Sequence, residues 1–438
     1  MENLNRLIRD AGIVGAGGAG FPSYAKLLEG ANLLIINGAE CEPLLYTDFS
    51  ILENKLQRVI YGAERVLDSE HIEKALLTVK SHTAHRLGLF DGESLSERIS
   101  VKVLPNVYPI GDEIALIYEA CGRIVKPGNL PITEGVIVFN VETLYNIAKA
   151  VSGGYPVVSK WVTVGGDIDT PTVVRVPIGT RVADLLDALN IRVDENHTVI
   201  DGGPSMGRVI NHRNASIKKN TKAILVLPND IEAVRTKKIN VKMSVGRAAT
   251  ACCQCTRCTD MCPRHLLGYP LEPHKMVRSA MQAAEADPKI VISATLCSSC
   301  GICESLACPQ GISPREVIAN YKGLLAKNKM RYTSNSAEVL PEREYRKVSS
   351  DRWKRAIGVF EFDRLPERVE RMYFDRVELS LSQHIGAPSV PIVKNGDIVK
   401  RGEVIAKSAD GLSVPLHASI DGVVTVYPCD KIIIEKVN

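Results

Sequence analysis

The sequence predicts a multidomain protein of mixed α/β and α+β class. Its 438 residues exceed what one hydrophobic core usually serves. Strand-like and helix-like segments alternate over the first third, and nine of the twelve cysteines fall between Cys252 and Cys308. We therefore expect five segments, which are residues 1–155, 156–235, 245–328, 329–375 and 376–438.

The first segment, 1–155, has the pattern of an α/β domain. Leu4, Leu7 and Ile8 share one face of a helix predicted over residues 3–11. Three later stretches are predicted as strands, namely "NLLIINGAE", "KALLTVKS" and "ISVKVLP". Helices separate them, such as "DFSILENKLQRVIYGAERVL", and this alternation predicts an α/β domain.

A glycine-rich stretch, "GIVGAGGAGFP", follows the first helix and contains Gly15, Gly17 and Gly20 in the spacing G-x-G-x-x-G. In a Rossmann dinucleotide fold this spacing follows a strand and opens a helix. Here a predicted helix precedes it. The context therefore favours a glycine loop with a different function from the Rossmann phosphate turn.

Two further segments are β-rich. Residues 156–235 contain "KWVTVGGD", "TPTVVRVPIG" and one helix, "VADLLDAL", which predicts a small β-grasp-like domain. Residues 376–438 alternate short Val/Ile runs with Gly-Asp and Asp-Gly turns, which predicts a C-terminal barrel-sandwich hybrid domain. Between the cysteine segment and this last domain, 329–375 is highly charged and lacks apolar periodicity. It is predicted to be a charged linker or a loosely packed arm.

The cysteines of 245–328 form two closely spaced runs. "CCQCTRCTDMCP" has the spacing C-x2-C-x2-C-x3-C-P, and "CSSCGICESLACP" has one residue more before its last Cys. This spacing is typical of two-cluster ferredoxins, in which the fourth Cys of each run binds the other [4Fe–4S] cluster. The expected ligands are Cys252, Cys255, Cys258, Cys262, Cys297, Cys300, Cys303 and Cys308.

The alternative for these runs is a pair of structural zinc sites. Zinc sites usually draw on two ligand pairs separated by a longer gap, which three cysteines two residues apart do not provide. The helical pattern of "EPHKMVRSAMQAAEADP", and of a second helix after the N-cap candidate Ser313, also favours a ferredoxin-like helical segment.

Composition excludes several function classes. The net charge is only +4, from 54 basic and 50 acidic residues, which argues against a large nucleic-acid surface. The N-terminus lacks the apolar core of a signal peptide, and no apolar run reaches the roughly 20 residues of a membrane helix. Clustered cysteines that bind metal are typical of a reducing compartment. We expect a cytoplasmic protein without nucleic-acid partners.

Four motifs occur together in order: "GAGGAGFPSYAK", "INGAECEP", "YPIGDEIALIYEACGR" and "GVIVFNVETLYNIAKAV". They resemble the flavin-binding domain found in the flavin subunit of respiratory complex I and in the C subunit of Rnf-type complexes. The resemblance extends through "DGGPSMGRVI", in the segment 156–235 that it identifies as SLBB-type, and through the cysteine runs. It implies flavin mononucleotide (FMN), two [4Fe–4S] clusters and NADH as electron donor.

The resemblance also implies the residues of the flavin and nucleotide site. The glycine loop would let backbone amides approach the flavin, Lys26 would lie near its phosphate or ring edge, and Phe21 would stack on nicotinamide. The expected contact residues are Gly15, Gly17, Gly18, Phe21, Lys26, Asn37, Glu40, Glu42, Gly111, Asp112, Glu113, Asn140 and Thr143.

The position of the β-rich domain indicates which members of this family the chain resembles most in domain order. In the C subunits of Rnf complexes such a domain precedes the glycine loop, whereas here it ends the chain. That order is similar to the cobalamin reductases of propanediol-utilisation microcompartments. The resemblance implies hydride transfer from NADH to FMN, then single electrons through the clusters to cobalamin. The resemblance also implies further partners, which are a corrinoid-handling enzyme, a microcompartment shell and an adenosyltransferase. It implies a microcompartment as the location.

Two alternatives remain open on the residues alone. The chain could be a soluble Rnf-like protein that passes electrons to ferredoxin or another protein reductase. It could also be an electron-relay protein that never meets NADH, although the intact Glu40, Glu42 and Glu113 weigh against that interpretation.

Overall fold

The first domain is built on a parallel sheet with a topological switch point. The computed structural model describes residues 4–281, 287–367 and 369–437. The elements here are α1 (Leu4–Asp10), β1 (Leu33–Asn37), α2 (Thr47–Glu70), β2 (Lys74–Lys80), α3 (Ser81–Leu87), β3 (Ile99–Leu104), β4 (Val107–Tyr108), α4 (Glu113–Cys121), β5 (Val136–Asn140) and α5 (Val141–Gly153). The sheet order is β3-β2-β1-β5. Because the chain leaves β1 on one side and returns on the other, the switch point lies between β1 and β5.

The apolar run of β1 is buried on both faces of this sheet. Leu34 and Ile36 face the layer of α2 and α5, while Leu33 and Ile35 face α4. Burial on both sides explains a continuous apolar run instead of an alternating one. Helices α2 and α5 approach closely at Gly62, where a Cβ would lie 2.1 Å from the carbonyl oxygen of Leu144. The α/β alternation predicted for this domain is confirmed.

The second domain forms a mixed sheet with one covering helix. Its elements are β6 (Ser159–Gly166), β7 (Thr172–Pro177), α6 (Val182–Ala188), β8 (His197–Asp201), β9 (Arg208–Ile210) and β10 (Ala223–Pro228). The strand order is β7-β6-β10-β8-β9, in which only β6 and β10 run parallel. Leu185 and Leu186 of α6 pack on the valines of β6 and β7.

The cysteine segment is helical, with the two cysteine runs in its loops. Its helices are α7 (Glu232–Arg235), α8 (Val241–Ala251), α9 (Arg257–Asp260), α10 (Pro263–Leu266), α11 (Pro273–Met281), α12 (Pro288–Ser293), α13 (Ile302–Ser305) and α14 (Pro314–Lys327). Ser313 caps α14, since its hydroxyl accepts a hydrogen bond from the Glu316 amide. The helix predicted before α12 is described up to Met281, and its residues 282–286 lie outside the described part.

Part of the segment predicted as a charged linker, 329–375, packs against other domains, chiefly residues 348–359, so the expectation of a linker is wrong there. The segment contains α15 (Arg343–Arg346), β11 (Val348–Ser349), α16 (Ser350–Ala356) and β12 (Val369–Arg371). β11 pairs with β4 of the first domain, and β12 extends the sheet of the second domain beside β7. Trp353 is only 1% exposed. Several apolar residues of this segment, called the strap below, are buried against other domains, namely Val348, Trp353, Ile357 and Val359, whereas Tyr345 and Tyr373 are exposed. The buried residues follow contacts with other domains, which leaves no periodic signal within the strap.

The last domain consists of two facing sheets. Its strands are β13 (Arg376–Ser380), β14 (Val390–Pro391), β15 (Ile398–Val399), β16 (Val404–Lys407), β17 (Leu416–His417), β18 (Gly422–Tyr427) and β19 (Lys431–Glu435). The sheet orders are β13-β19-β18-β15 and β14-β16-β17. Ile405, Leu416 and Ile432 belong to the same apolar core as the first domain, so the two ends of the chain pack together.

One buried junction joins three domains. The Lys219 Nζ donates to the Gly12 carbonyl at 2.8 Å and to the Pro415 carbonyl at 3.0 Å. His417 lies beside it and is 3% exposed. Burial, together with the charge of Lys219, lowers the pKa of His417 to about 3. The folded chain therefore holds this imidazole neutral.

We expect this junction to weaken in mild acid. The unfolded chain takes up a proton at His417 near pH 6.5, whereas the folded chain does not, so stability falls as the pH drops below that value. The free energy of unfolding should decrease by about 1.4 kcal/mol from this group between pH 7.5 and 5.5. The free energy of unfolding is measured with denaturant at several pH values. Its pH dependence should lose this contribution in His417→Gln and retain it in the exposed control His71→Gln. An unchanged slope in His417→Gln would refute the assignment.

Candidate functional site

The glycine loop lies over the switch point of the first domain. Asn37 and Asn140, which end β1 and β5, are register partners at the edge where parallel strands finish. Gly17 sits against Asn140, since a Cβ at Gly17 would lie 3.5 Å from the Asn140 Cβ. The loop closes on itself through the Gly15 amide, which donates to the Phe21 carbonyl at 2.7 Å. Ligands of open α/β sheets bind in the crevice at this position. This crevice, bordered by the glycine loop, Asn37 and Asn140, is called the switch-point cleft below.

The N-terminus of α5 faces the same cleft. The Asn140 side chain caps α5 by accepting from the Glu142 amide at 3.0 Å. The Thr143 hydroxyl accepts from the Ala16 amide at 3.0 Å and so ties the helix to the glycine loop. Gly18 has φ of +108°, a conformation that favours glycine. A helix N-terminus beside an exposed glycine backbone suits a phosphate group.

The loop before α4 forms the third wall. Lys26 forms an ion pair with Glu113 at 2.7 Å and donates to the Val138 carbonyl at 3.1 Å. The Asn37 amide donates to the Gly111 carbonyl at 3.4 Å. A Cβ at Gly111 would lie 2.8 Å from the Cys41 Sγ, so this position is closely packed. The structure thus brings the four predicted motifs to one cleft.

Three of the predicted carboxylates accept hydrogen bonds from groups of the protein itself. Glu40 accepts from the Asp48 and Phe49 amides at the start of α2, and Glu42 accepts from the Ser205 amide at 2.9 Å. Asp112 receives two hydrogen bonds from Arg264, at 2.6 and 2.7 Å. Burial raises the pKa of Glu42.

These carboxylates therefore hold loops in place around the cleft. Phe21 lies partly buried at the end of the glycine loop.

Two buried lysines of the second domain form ion pairs with residues that lie beside the cleft. The Lys160 Nζ pairs with Glu142 of α5, and each side chain is 1% exposed. The Lys222 Nζ pairs with Asp48 of α2, which in turn accepts from the Asn140 amide at 2.7 Å. Burial lowers the pKa of Lys160, while Glu142 opposes that shift. Nothing in the sequence signalled these lysines, because their partners lie in another domain.

The eight predicted cysteines fall into two groups of four. The inner group, Cys262, Cys297, Cys300 and Cys303, borders one cavity. The outer group, Cys252, Cys255, Cys258 and Cys308, borders a second cavity, whose lining also includes Cys253. Each group takes three cysteines from one run and the fourth from the other. Across the residues that the structure describes, no set of three or more His, Cys, Asp or Glu side chains is spaced to hold one metal ion.

The donor set of both groups fits iron–sulfur clusters. All eight donors are thiols, and each cavity is bordered by four of them. Burial raises the pKa of the Cys258 and Cys262 thiols to about 12. Because ligation needs thiolates, a positively charged iron centre would have to offset this burial. Cys253 and Cys429 are exposed and are not among the eight predicted ligands.

The inner group lies next to the switch-point cleft. The Tyr108 hydroxyl donates to the Cys300 carbonyl at 2.7 Å and contacts Glu42 at 3.0 Å. The Tyr108 ring stacks on Trp353 of the strap at a centroid distance of 4.7 Å. Arg264, two residues after Cys262, holds Asp112 beside Gly111. The loop before α4 therefore connects the cleft to the inner thiols.

The outer group lies nearer the surface. Cys255 is exposed, whereas Cys262, Cys300 and Cys303 are buried.

Within the described ranges, none of the helices combines the length and the apolar character that crossing a bilayer requires.

Three stretches of the chain match described protein families. Residues 8–149 match the Nuo51 FMN-binding domain, residues 251–313 the 4Fe-4S dicluster domain, and residues 368–434 the RnfC barrel sandwich hybrid domain. The matches coincide with the cleft domain, with both cysteine runs and with the two-sheet domain at the end.

Curated relatives match nearly the whole chain. Cobalamin reductase PduS of Citrobacter freundii is 35% identical over 97% of this chain and 94% of its own length, and PduS of Salmonella typhimurium is 36% identical over the same shares. The C subunit of the proton-translocating ferredoxin:NAD(+) oxidoreductase complex of Clostridium ljungdahlii is 33% identical over 61% of this chain and 57% of its own length.

A solved NAD+-reducing [NiFe]-hydrogenase in the H2-reduced state covers 74% of this chain and 61% of its own, at 20% identity and a TM-score of 0.45. A likeness at that level supports no conclusion about function.

Proposed function

The chain belongs to the family of the cobalamin reductase PduS, and from this premise we propose that it is an NADH-dependent flavin and iron–sulfur oxidoreductase that reduces cobalamin. The observation that carries the proposal is the direct connection between the switch-point cleft and the inner thiol group, through Tyr108 and Arg264. The proposed site for a two-electron carrier would thus adjoin the proposed site for one-electron carriers in one chain.

The cleft residues would divide the binding of FMN between them. The amides of Gly15, Gly17 and Gly18, with Asn140 and Thr143 at the start of α5, would hold the phosphate side. Lys26, Asn37, Gly111 and Glu113 would lie along the ring side, with Phe21 toward the nicotinamide. Bound there, FMN would supply the conversion between a hydride from NADH and single electrons for the clusters. Glu40, Glu42 and Asp112 position the loops that carry these residues.

The two thiol groups suggest a direction for the electrons. The inner group borders the loop before α4, and the outer group opens toward solvent. We infer that the inner group is on the donor side and that the outer group faces the acceptor. One NADH provides two electrons, which is enough for two one-electron reductions of cobalamin.

The second candidate acceptor is ferredoxin or another reductase protein. The similarity to the Clostridium ljungdahlii protein favours it, since the name of that protein specifies ferredoxin as its redox partner. The similarity to PduS spans far more of this chain and favours cobalamin.

The acceptor is tested by reoxidation. The iron-reconstituted protein is reduced with NADH under anaerobic conditions and then mixed with cob(III)alamin or with oxidised ferredoxin, while the flavin absorbance is followed. We expect cobalamin to restore the absorbance at least tenfold faster than ferredoxin, which corresponds to a barrier lower by about 1.4 kcal/mol. Faster reoxidation by ferredoxin would favour the second candidate.

The remaining assignments extend the proposal. The strand order of the second domain supports its assignment to the β-grasp class, and the domain bounds given above remain predictions. We propose a cytoplasmic location on the basis of eight unpaired cysteines suited to clusters. Contacts with a microcompartment shell or an adenosyltransferase remain predictions from the resemblance.

A further inference from the structure

A large basic cleft lies toward the C-terminal end of α5, whereas the proposed FMN site adjoins the N-terminal end of that helix. It has a volume of about 590 Å³ and is lined by parts of three domains and the strap. Its six cationic side chains come from α2, α5, β7, β12 and the turn after β15, and they are Lys55, Arg58, Lys149, Arg175, Arg371 and Arg401. Lys149 follows the start of α5 by eight positions, or about 12 Å, so α5 separates the two sites.

These cations outnumber the acidic side chains near them. Among the described residues that line the cleft none is acidic, while Arg175, Arg371 and Arg401 also border an adjoining cavity that contains Asp375 and Asp421. Asp421 accepts from the Arg401 backbone amide at 2.7 Å and lines an adjoining cavity with Asp375, which pairs with Lys436. Burial and then the charges of Arg175, Arg401, Arg371 and Arg58 lower the pKa of Lys149 to about 8. Such mutual repulsion is relieved by a bound anion.

Two of the guanidinium groups are held in place by the protein. The Arg175 Nε donates to the Ser159 hydroxyl at 3.1 Å, and the Arg401 Nε donates to the Ser419 carbonyl at 3.2 Å. Arg175 and Lys149 also lie 6.0 and 5.9 Å from the centroid of the Tyr145 ring. These contacts fix the side chains and leave other guanidinium N–H groups free to face a ligand.

The composition of the cleft favours phosphate over other anions. Four of the six cations are arginines, whose planar groups bind phosphate oxygens in pairs. The cleft is concave and large enough for a nucleotide-sized molecule. Tyr155, which is 62% exposed, stands in its lining and offers a ring face to a base.

We propose that this cleft binds a nucleoside polyphosphate, with the phosphates held by Arg58, Arg175, Arg371 and Arg401. The site is independent of the FMN cleft, so it adds a second small-molecule function to the chain. The proposal does not depend on which acceptor the enzyme uses.

The test is calorimetric titration of the holoprotein at about 50 mM salt, where charge screening is weak. The probes are ATP, tripolyphosphate, inorganic phosphate and adenosine, each with saturating NADH present so that the nucleotide cleft is filled. We expect ATP to bind, tripolyphosphate to compete with it, and adenosine to give no heat. Binding of inorganic phosphate as tight as that of ATP would contradict the polyphosphate assignment.

The variant with Lys55→Gln, Arg58→Gln and Arg371→Gln removes three exposed charges. It should weaken ATP binding at least tenfold while NADH still bleaches the flavin at the normal rate. The matched control, Lys394→Gln with Lys407→Gln, removes two exposed charges elsewhere and should change the affinity by less than about twofold.

Absence of ATP binding to the wild type, or equal affinity in the triple variant, would overturn the proposal. Binding of a polyglutamate peptide without binding of ATP would overturn it in favour of a protein partner.

Discussion

Replacing Cys300 by serine is expected to stop electron transfer to cobalamin while leaving the reaction with NADH intact. Cys300 is a buried member of the inner group, and a serine hydroxyl is a poor substitute for a thiolate ligand. The variant should retain about four of the roughly eight irons of two [4Fe–4S] clusters. Cobalamin reduction should fall about 100-fold or more, a loss of at least about 2.7 kcal/mol in transition-state stabilisation.

The matched control is Cys253→Ser. Cys253 is exposed and lines the outer cavity beside Cys252, but it is not one of the eight predicted ligands. This variant should keep its full iron content and activity. If Cys300→Ser retained cobalamin reduction at the wild-type rate, the assignment of the inner group to the electron path would be wrong.

Removing the amine of Lys160 is expected to cause the largest loss of stability outside the cysteine segment. Lys160→Met leaves Glu142 buried at the start of α5 without its counter-charge, and such a loss costs about 3–5 kcal/mol. Because Lys160 also donates to the Ala16 carbonyl of the glycine loop, the flavin retained per chain should fall with the stability. Denaturant unfolding and flavin fluorescence measure the two effects.

A second substitution separates charge from packing. In Lys160→Met with Glu142→Gln the buried charge is gone, and the glutamine can still accept from the Trp161 amide. This double variant should recover most of the lost stability. The exposed control, Arg192→Met in the same domain, should change the free energy of unfolding by less than about 0.5 kcal/mol. A Lys160→Met protein as stable as wild type would contradict this account of the pair.

The features that could be predicted from the sequence are those whose signal is local. The spacing of the two cysteine runs predicted both thiol groups, including the exchange of Cys262 and Cys308 between them. The alternation of the apolar runs of β1, β2 and β3 with helical segments predicted the α/β class of the first domain. The resemblance assigned the four motifs to one flavin site, and their loops lie close together because the ends of parallel strands share one edge.

The features that could not be predicted arise from contacts between distant segments. Lys222 meets Asp48 from 174 positions away, and neither residue lies in a motif. Trp353 is buried by stacking on Tyr108 although its own segment is charged and aperiodic. Glu42 was expected beside the nucleotide, yet it accepts from the Ser205 amide of the second domain. In each case the partner is supplied by domain packing, which leaves no pattern in the neighbouring sequence.

The most direct test of the central claim is the flavin absorbance of the iron-reconstituted protein on anaerobic mixing with NADH. If the switch-point cleft holds FMN within reach of NADH, the absorbance should fall within one turnover, and it should do so equally in Cys300→Ser. An absorbance that NADH leaves unchanged, in a protein that retains its iron, would contradict the account.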